Sequence, residues 1–182
     1  MRELSMHILD LAQNSITAAA TRIEIEVIAD TKADQLTISI RDNGEGMTPE
    51  FLAKVRDPFT TTRTTRKVGL GIPMFEEAAQ NCDGNLTIKS VPGKGTSLVG
   101  TFKLSHIDRA PLGDIASTLI ALIAANPDID ITYTQQVDSR QFILNTERIK
   151  RKLEGVPINE GAVLNWLREY ASENTSGELH IN

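Results

Sequence analysis

A strand that runs directly into a turn with two glycines leaves few architectures open to this chain. Leu36-Thr37-Ile38-Ser39-Ile40 alternates in polarity and continues into Arg41-Asp42-Asn43-Gly44-Glu45-Gly46-Met47. The alternation reads as a half-buried strand. Its end delivers the Asp42 carboxylate into a turn where glycine permits positive φ and close backbone approach. A carboxylate at a strand end, beside an open surface, can accept a hydrogen bond from an exocyclic amine such as that of adenine. An Asn-Gly turn without any ligand produces the same local pattern. The neighbouring segments have to decide between them.

Residues 3–20 read as a helix. Leu4, Ile8, Leu11, Ala12, Ile16 and Ala19 recur at three- and four-residue spacing and form one apolar face. His7, Asp10, Asn14 and Thr17 make a second, polar stripe on the same spacing. A solvated helix face has that appearance too. An Asn offers a neutral oxygen suited to Mg²⁺, which keeps several waters and prefers oxygen ligands. Asp10, one turn earlier, can orient or deprotonate a water.

Residues 22–27 alternate as a strand and should pair with 36–42 as a hairpin. Thr48 is the expected N-cap, and Pro49 the first residue, of a helix reaching about Val55. Residues 57–66 lack periodicity and read as a loop. They meet Lys67-Val68-Gly69-Leu70-Gly71-Ile72, which leads into a helix over 73–81. Glycines at a helix start free backbone N–H groups to face an anion, and the helix dipole adds to the effect. Residues 85–91 and 97–104 form a second hairpin around Pro92-Gly93-Lys94-Gly95-Thr96. Thr96 stands where turn becomes strand, with its hydroxyl expected to face the site of Asp42.

From residue 105 the character changes. An apolar helix is expected over 111–125, a hairpin over 129–144, a short helix from Thr146, and an amphipathic helix over 160–173. This αββαα unit of residues 105–182 would be marginal alone and is expected to pack on residues 1–104. Tyr133, Phe142, Trp166 and Tyr170 are expected in its core.

Composition narrows the function classes. A formal net charge of −5 over 182 residues argues against a general nucleic-acid binder, because phosphate neutralisation needs clustered Lys and Arg. Cys82 is the single cysteine, which excludes an internal disulfide and suits a small buried hydrophobe. Residues 1–11 carry charge and a His, unlike a signal peptide. The longest apolar stretch, 115–125, is too short to span a bilayer. A cytoplasmic protein without membrane contact is expected.

Taken together, four segments in order resemble the GHKL superfamily of ATP-binding domains, which includes gyrase-type topoisomerases, heat-shock chaperones, histidine kinases and mismatch-repair ATPases. Asp10-Leu11-Ala12-Gln13-Asn14-Ser15 looks like the N box. Asp42-Asn43-Gly44-Glu45-Gly46, Gly69-Leu70-Gly71-Ile72 and Gly93-Lys94-Gly95-Thr96 look like the glycine boxes. The likeness covers residues 1–104. Residues 10–27 are nearest to the mismatch-repair ATPases, and 58–101 to a histidine kinase. The resemblance implies an α+β fold, a two-layer sandwich of Bergerat type with a mixed sheet covered by helices on one face. It also implies ATP and Mg²⁺ as cofactors. Asn14 would take Mg²⁺, Asp42 the adenine amine, Gly44 and Gly46 would give the base access, and Thr96 would support Asp42. Gly69 and Gly71 would bind phosphates, with Lys67 reaching them from the lid.

Two departures shape the expected activity. Histidine kinases place a phosphoacceptor His on a dimerisation helix ahead of the N box. Only six residues precede His7, so that helix is expected to be absent and His7 to be a packed histidine. The ATPases of this fold carry a Glu one turn before the Asn, whereas this chain has Asp10. The side chain is one methylene shorter, and a misplacement of about 1 Å can slow in-line attack about a hundredfold. A slow ATPase or an ATP-driven switch is therefore expected, with an unidentified protein partner and possible homodimerisation. The alternatives are a protein kinase acting in trans on a partner's His or Ser, and an ATP-gated binding module.

Overall fold

The computed structural model describes residues 3–56 and 70–175. Six strands make one mixed sheet in the order β3-β4-β2-β1-β5-β6. Strands β1 (Arg22–Asp30) and β2 (Gln35–Asp42) pair antiparallel as the alternation predicts. β1 buries Ile23, Ile25, Val27 and Ala29, and β2 buries Leu36, Ile38 and Ile40. On the opposite face of β1 and β2, Ser39 donates to Glu26 at 2.8 Å. Strands β3 (Asn85–Val91) and β4 (Gly95–Lys103) form the second hairpin, and β4 lies against β2.

Helices cover the apolar face. α1 (Leu4–Thr17) buries Leu4, Ile8, Leu11 and Ala12 over β1 and β2. The short α2 (Pro49–Lys54) starts as expected, with Thr48 Oγ1 accepting from Phe51 N at 3.2 Å. α3 (Gly71–Gln80) lies over β3 and β4 and against α1. It begins at Gly71, two residues before the expected start. Arg56, just after α2, holds Glu76 of α3 at 3.1 Å and donates to the Leu86 carbonyl.

The C-terminal segment extends the same sheet. β5 (Asp130–Val137) pairs parallel with β1 from Arg22↔Asp130 to Ala29↔Val137, and β6 (Arg140–Asn145) pairs antiparallel with β5. A parallel neighbour requires a long crossover, supplied by everything between β1 and β5. α4 (Ile115–Ala125) packs against α1 and α6 (Gly161–Thr175). It buries seven residues, a wide face for a helix flanked by two others. α4 starts at Ile115 rather than at Pro111. Asp114 caps it through Ser117 N at 2.9 Å. The Pro111 and Leu112 carbonyls instead accept from Leu4 N (2.9 Å) and Ser5 N (2.8 Å), satisfying amides that an α-helix leaves open at its start. α5 (Thr146–Lys152) starts at Thr146 as expected, and Asn145 caps it through Arg148 N at 2.9 Å. Thr146 Oγ1 accepts from Ile131 N at 2.8 Å.

Two aromatic expectations are corrected. Tyr133 is fully buried, but Trp166 and Tyr170 are 51% and 37% exposed. α6 turns Leu167 and Ala171 inward. Residues one position earlier point about 100° away around a helix of 3.6 residues per turn. Trp166 and Tyr170 therefore stack on each other at the surface, 5.4 Å apart, with Phe142 edge-on to Tyr170.

Candidate nucleotide site

The end of β2 brings Asp42 beside the C-terminal half of α1. Its Oδ2 accepts from Ser15 Oγ at 2.7 Å, and its Oδ1 accepts from Gly44 N (2.9 Å) and Thr96 N (3.3 Å). An ionised carboxylate has about four acceptor positions. Oδ1 is doubly engaged, so the remaining acceptor capacity lies on Oδ2. Ser15 is buried and follows Asn14 directly. A single serine in a helix gives no sequence signal of a partner 27 residues away.

The turn after β2 is clamped on two sides. Glu45 N donates to the Ala18 carbonyl at 2.8 Å, and Gly93 N donates to the Glu45 carbonyl at 2.7 Å. Met47 N donates to Ser90 Oγ at 2.8 Å. A Cβ on Gly44 would stand 2.6 Å from the Ala18 carbonyl oxygen; one on Gly46 (φ +68°) would stand 2.1 Å from that of Val91. The clearance these glycines provide is taken up by the chain's own backbone. Thr96 reaches Asp42 through its amide; its hydroxyl lies 2.8 Å from Ser90 Oγ. The expectation that the hydroxyl faces the site is corrected to that extent. Asn43, unassigned from sequence, accepts from Thr21 N and Arg22 N and so fixes the start of β1.

At the other wall, α1 and α3 meet. A Cβ on Gly71 would lie 3.2 Å from Asp10 Cβ and 3.9 Å from Asn14 Nδ2. Glycine there lets the start of α3 approach the face that carries both side chains. No side chain among the described residues caps that start. Asn14 Nδ2 is buried and has no hydrogen-bond partner among the described residues. Such an atom is costly to leave unmet, which fits a site for a polar ligand. A half-turn of the amide puts Oδ1 at the same place, so the donor chemistry suits Mg²⁺. Asp10 is exposed. Lys67 and Gly69 lie outside the described residues.

His7 departs from the polar stripe. It is 2% exposed, and its ring lies 5.7 Å from that of Phe75. Burial lowers its pKa from 6.5 to about 4. The unfolded chain therefore takes up a proton below about pH 6.5, while the native state does so only near pH 4. Stability should fall with acid across that window by about 1.4 kcal/mol per pH unit, and then level off. Urea unfolding of the wild type at pH 7.5 and 4.5, beside His7→Leu, checks this. The variant should lose less stability over the interval, by roughly 3 kcal/mol.

Comparison with known proteins supplies the family. Residues 2–106 match the family described as histidine kinase-, DNA gyrase B- and HSP90-like ATPase. Sensor protein kinase FleS of Pseudomonas aeruginosa is 39% identical over 108 residues, which are 59% of this chain and 26% of that protein. The non-motile and phage-resistance protein of Caulobacter vibrioides is 30% identical over 117 residues, 59% of this chain and 14% of its own. Sporulation kinase C of Bacillus subtilis is 30% identical over 94 residues, covering 52% and 22%. The chain thus spans about a quarter or less of these relatives. The crystal structure of the N-terminal domain of a DNA repair protein superposes with a TM-score of 0.57 at 14% identity, over 80% of this chain and 53% of that one. Residues 2–106 alone are too few to supply that share, so the likeness of fold runs into the C-terminal segment. No helix among the described residues is long and apolar enough to cross a membrane. By the match over more than half its length, the chain belongs to the histidine kinase-, DNA gyrase B- and HSP90-like ATPase family.

Proposed function

We propose that the cleft between α1, α3 and the turn after β2 binds Mg-ATP and works as a slow ATPase or ATP-driven switch. The carrying observation is the three-donor cradle that holds Asp42 and leaves acceptor capacity on Oδ2 for the adenine amine. The uncapped start of α3 at Gly71, with Gly69 and Lys67 before it, takes the phosphates. Asn14 is the protein ligand for Mg²⁺, which would supply charge neutralisation at the phosphates. Asp10, exposed one turn before Asn14, holds the attacking water as a general base. Gly44 and Gly46 shape the turn under the base. On this reading the protein works in the cytoplasm.

Ser15 should matter as a positioning residue. Losing a hydrogen bond to a charged group costs about 1.5–3 kcal/mol. Ser15→Ala should therefore weaken ATP binding by about tenfold or more, while Ser15→Thr retains most of it. A nucleotide titration of both variants is the check.

γ-Labelled ATP with Mg²⁺, given to the wild type and to Asp10→Asn, tests the activity. Release of phosphate by the wild type, lost in the variant, is the expected result. Wild-type release that persists in Asp10→Asn would remove Asp10 as base. Label transferred to an added protein would favour the second reading, a kinase acting in trans on His or Ser. That reading draws on relatives described as sensor and sporulation kinases. Residues 1–104 would be the nucleotide unit, and 105–182 the unit that meets a protein partner or a second copy. The exposed Trp166–Tyr170 stack supports the latter assignment.

A further inference from the structure

The two edges of the sheet are finished differently. β3, at one end of the strand order, is guarded. Arg56 Nη2 donates to the Leu86 carbonyl at 2.9 Å, and Lys89 stands exposed in mid-strand. Charged side chains on an edge, lysine above all, keep a foreign strand away. β6, at the other end, has no such guard along its middle. Its residues Gln141-Phe142-Ile143-Leu144-Asn145 carry no charge and no Pro. Its register with β5 runs without a bulge from Val137↔Arg140 to Thr132↔Asn145.

That register decides which groups of β6 face outward. Asp138-Ser139 is a two-residue turn, so Val137 and Arg140 make a hydrogen-bonded pair and the next pair, Gln136 and Gln141, does not. Gln141 and Ile143 therefore turn their N–H and C=O groups to the free edge, where no hydrogen bond among the described residues meets them. Apolar side chains flank this row on both faces. Ile143 is 46% exposed on the face of the sheet away from the helices. The Phe142, Tyr170 and Trp166 rings line the helix-covered face. Unpaired backbone between two apolar margins suits an added strand.

Charge selects the strand. α5 follows β6 directly and carries four basic residues, Arg148, Lys150, Arg151 and Lys152, to one acidic, Glu147. At the opposite end, Asn174 of α6 lines a hollow with Arg140 and Gln141, so α6 finishes near the start of β6. Glu173 there continues the exposed Trp166–Tyr170 stripe, and Asp138 and Arg140 flank it. A second β6 running antiparallel brings the Glu173 end of each copy to the basic α5 of the other.

We propose that β6 pairs antiparallel with β6 of a second copy of this chain, joining two sheets into one. The register is centred on Ile143, which meets Ile143 of the second copy, while Gln141 meets Asn145. The outward groups of Gln141 and Ile143 thereby gain backbone partners. This pairing rests on the reading of residues 105–182 as the unit that meets a partner or a second copy, and makes it specific. The nucleotide cleft takes no part in it.

Trp166 is the only tryptophan of the chain and lies beside this edge, so its emission reports the pairing. The full chain, free of nucleotide, is followed by sedimentation velocity and by Trp166 fluorescence from below to well above micromolar concentration. The mass should rise from 20.0 kDa toward twice that value, and the emission should move to the blue along the same curve. Ile143→Lys places a guarding residue at an exposed site and should hold the chain at 20.0 kDa, with Trp166 emission independent of concentration. Circular dichroism should show that variant folded. Thr87→Lys, on the exposed β3 edge, should leave the dimer unchanged. Glu173→Lys should weaken it about fivefold. Ile143→Cys, oxidised, should give a disulfide-linked dimer, which the buried Cys82 does not form. A mass of 20.0 kDa at every concentration would overturn the proposal, whether the edge stays open, is taken by residues 176–182 or is kept for another protein. A dimer that survives Ile143→Lys would overturn it equally. A separate ATP titration of the wild type tests the nucleotide reading, so either can fail without the other.

Discussion

Asp42→Asn is expected to lower ATP affinity at least about a hundredfold while the fold stays intact. The two oxygens of Asp42 are not equivalent. Oδ1 accepts from the amides of Gly44 and Thr96, and those donors cannot reverse. Oδ2 accepts from Ser15, whose hydroxyl can rotate and accept instead. An asparagine must therefore keep its oxygen on the amide side and place its NH₂ where Oδ2 was. There it meets the adenine amine donor to donor. A site built to pair with a substrate N–H discriminates by orders of magnitude when that pairing fails. The cradle itself keeps its hydrogen bonds, so the melting temperature should move by only a few degrees. The same geometry predicts a gain: the new NH₂ suits the 6-keto oxygen of inosine triphosphate. Titrations of both nucleotides should show the preference reversed between wild type and variant. Near-native ATP affinity in Asp42→Asn would remove Asp42 from the base-reading role.

The features that were legible in sequence are those written locally. The alternation of residues 36–42, the glycine pair at 44 and 46, and the 10–14 spacing on a helix each state their own geometry. Their partners are written elsewhere in the chain. Ser15 and Ser90 look like any serine until the fold sets one against Asp42 and the other against Thr96 and Met47. The parallel pairing of β5 with β1 joins segments about a hundred residues apart, and no local periodicity encodes it. Trp166 and Tyr170 fell on the wrong side of α6 because an offset of one residue turns a helical stripe from core to solvent. His7 shares its spacing with Asp10 and Asn14, yet α3 covers it with Phe75 while a glycine opens the space beside the other two. The polar stripe was real; which part of it is buried depended on a second helix. Lys67 and Gly69 lie outside the described residues, and their roles rest on the resemblance.

Gly95→Ala is expected to damage the fold severely, and its neighbour supplies the control. Gly95 has φ +109°, and a Cβ there would stand 1.9 Å from the Asp42 carbonyl oxygen and 2.9 Å from Asn43 Cα. Both contacts are backbone, which a rotamer change cannot relieve. Gly93, two residues earlier in the same turn, has φ +74° with nothing within 4 Å of its Cβ position. Gly93→Ala should carry only the left-handed backbone penalty, about 1–2 kcal/mol. Gly95→Ala adds a steric displacement and should cost roughly 3 kcal/mol or more. At about 2–4 °C per kcal/mol for a chain of this size, thermal melts separate the two variants easily. The displaced group is the Asp42 backbone, so Gly95→Ala should also weaken ATP binding in whatever fraction remains folded, whereas Gly93→Ala should not. Equal melting temperatures for the two would mean that β2 and the β3–β4 turn do not approach as closely as the 1.9 Å clearance requires. The two glycines of Gly93-Lys94-Gly95 thus do different work. The first only lets the chain reverse, and the second lets one strand's turn press against the strand end that carries the Asp42 carboxylate.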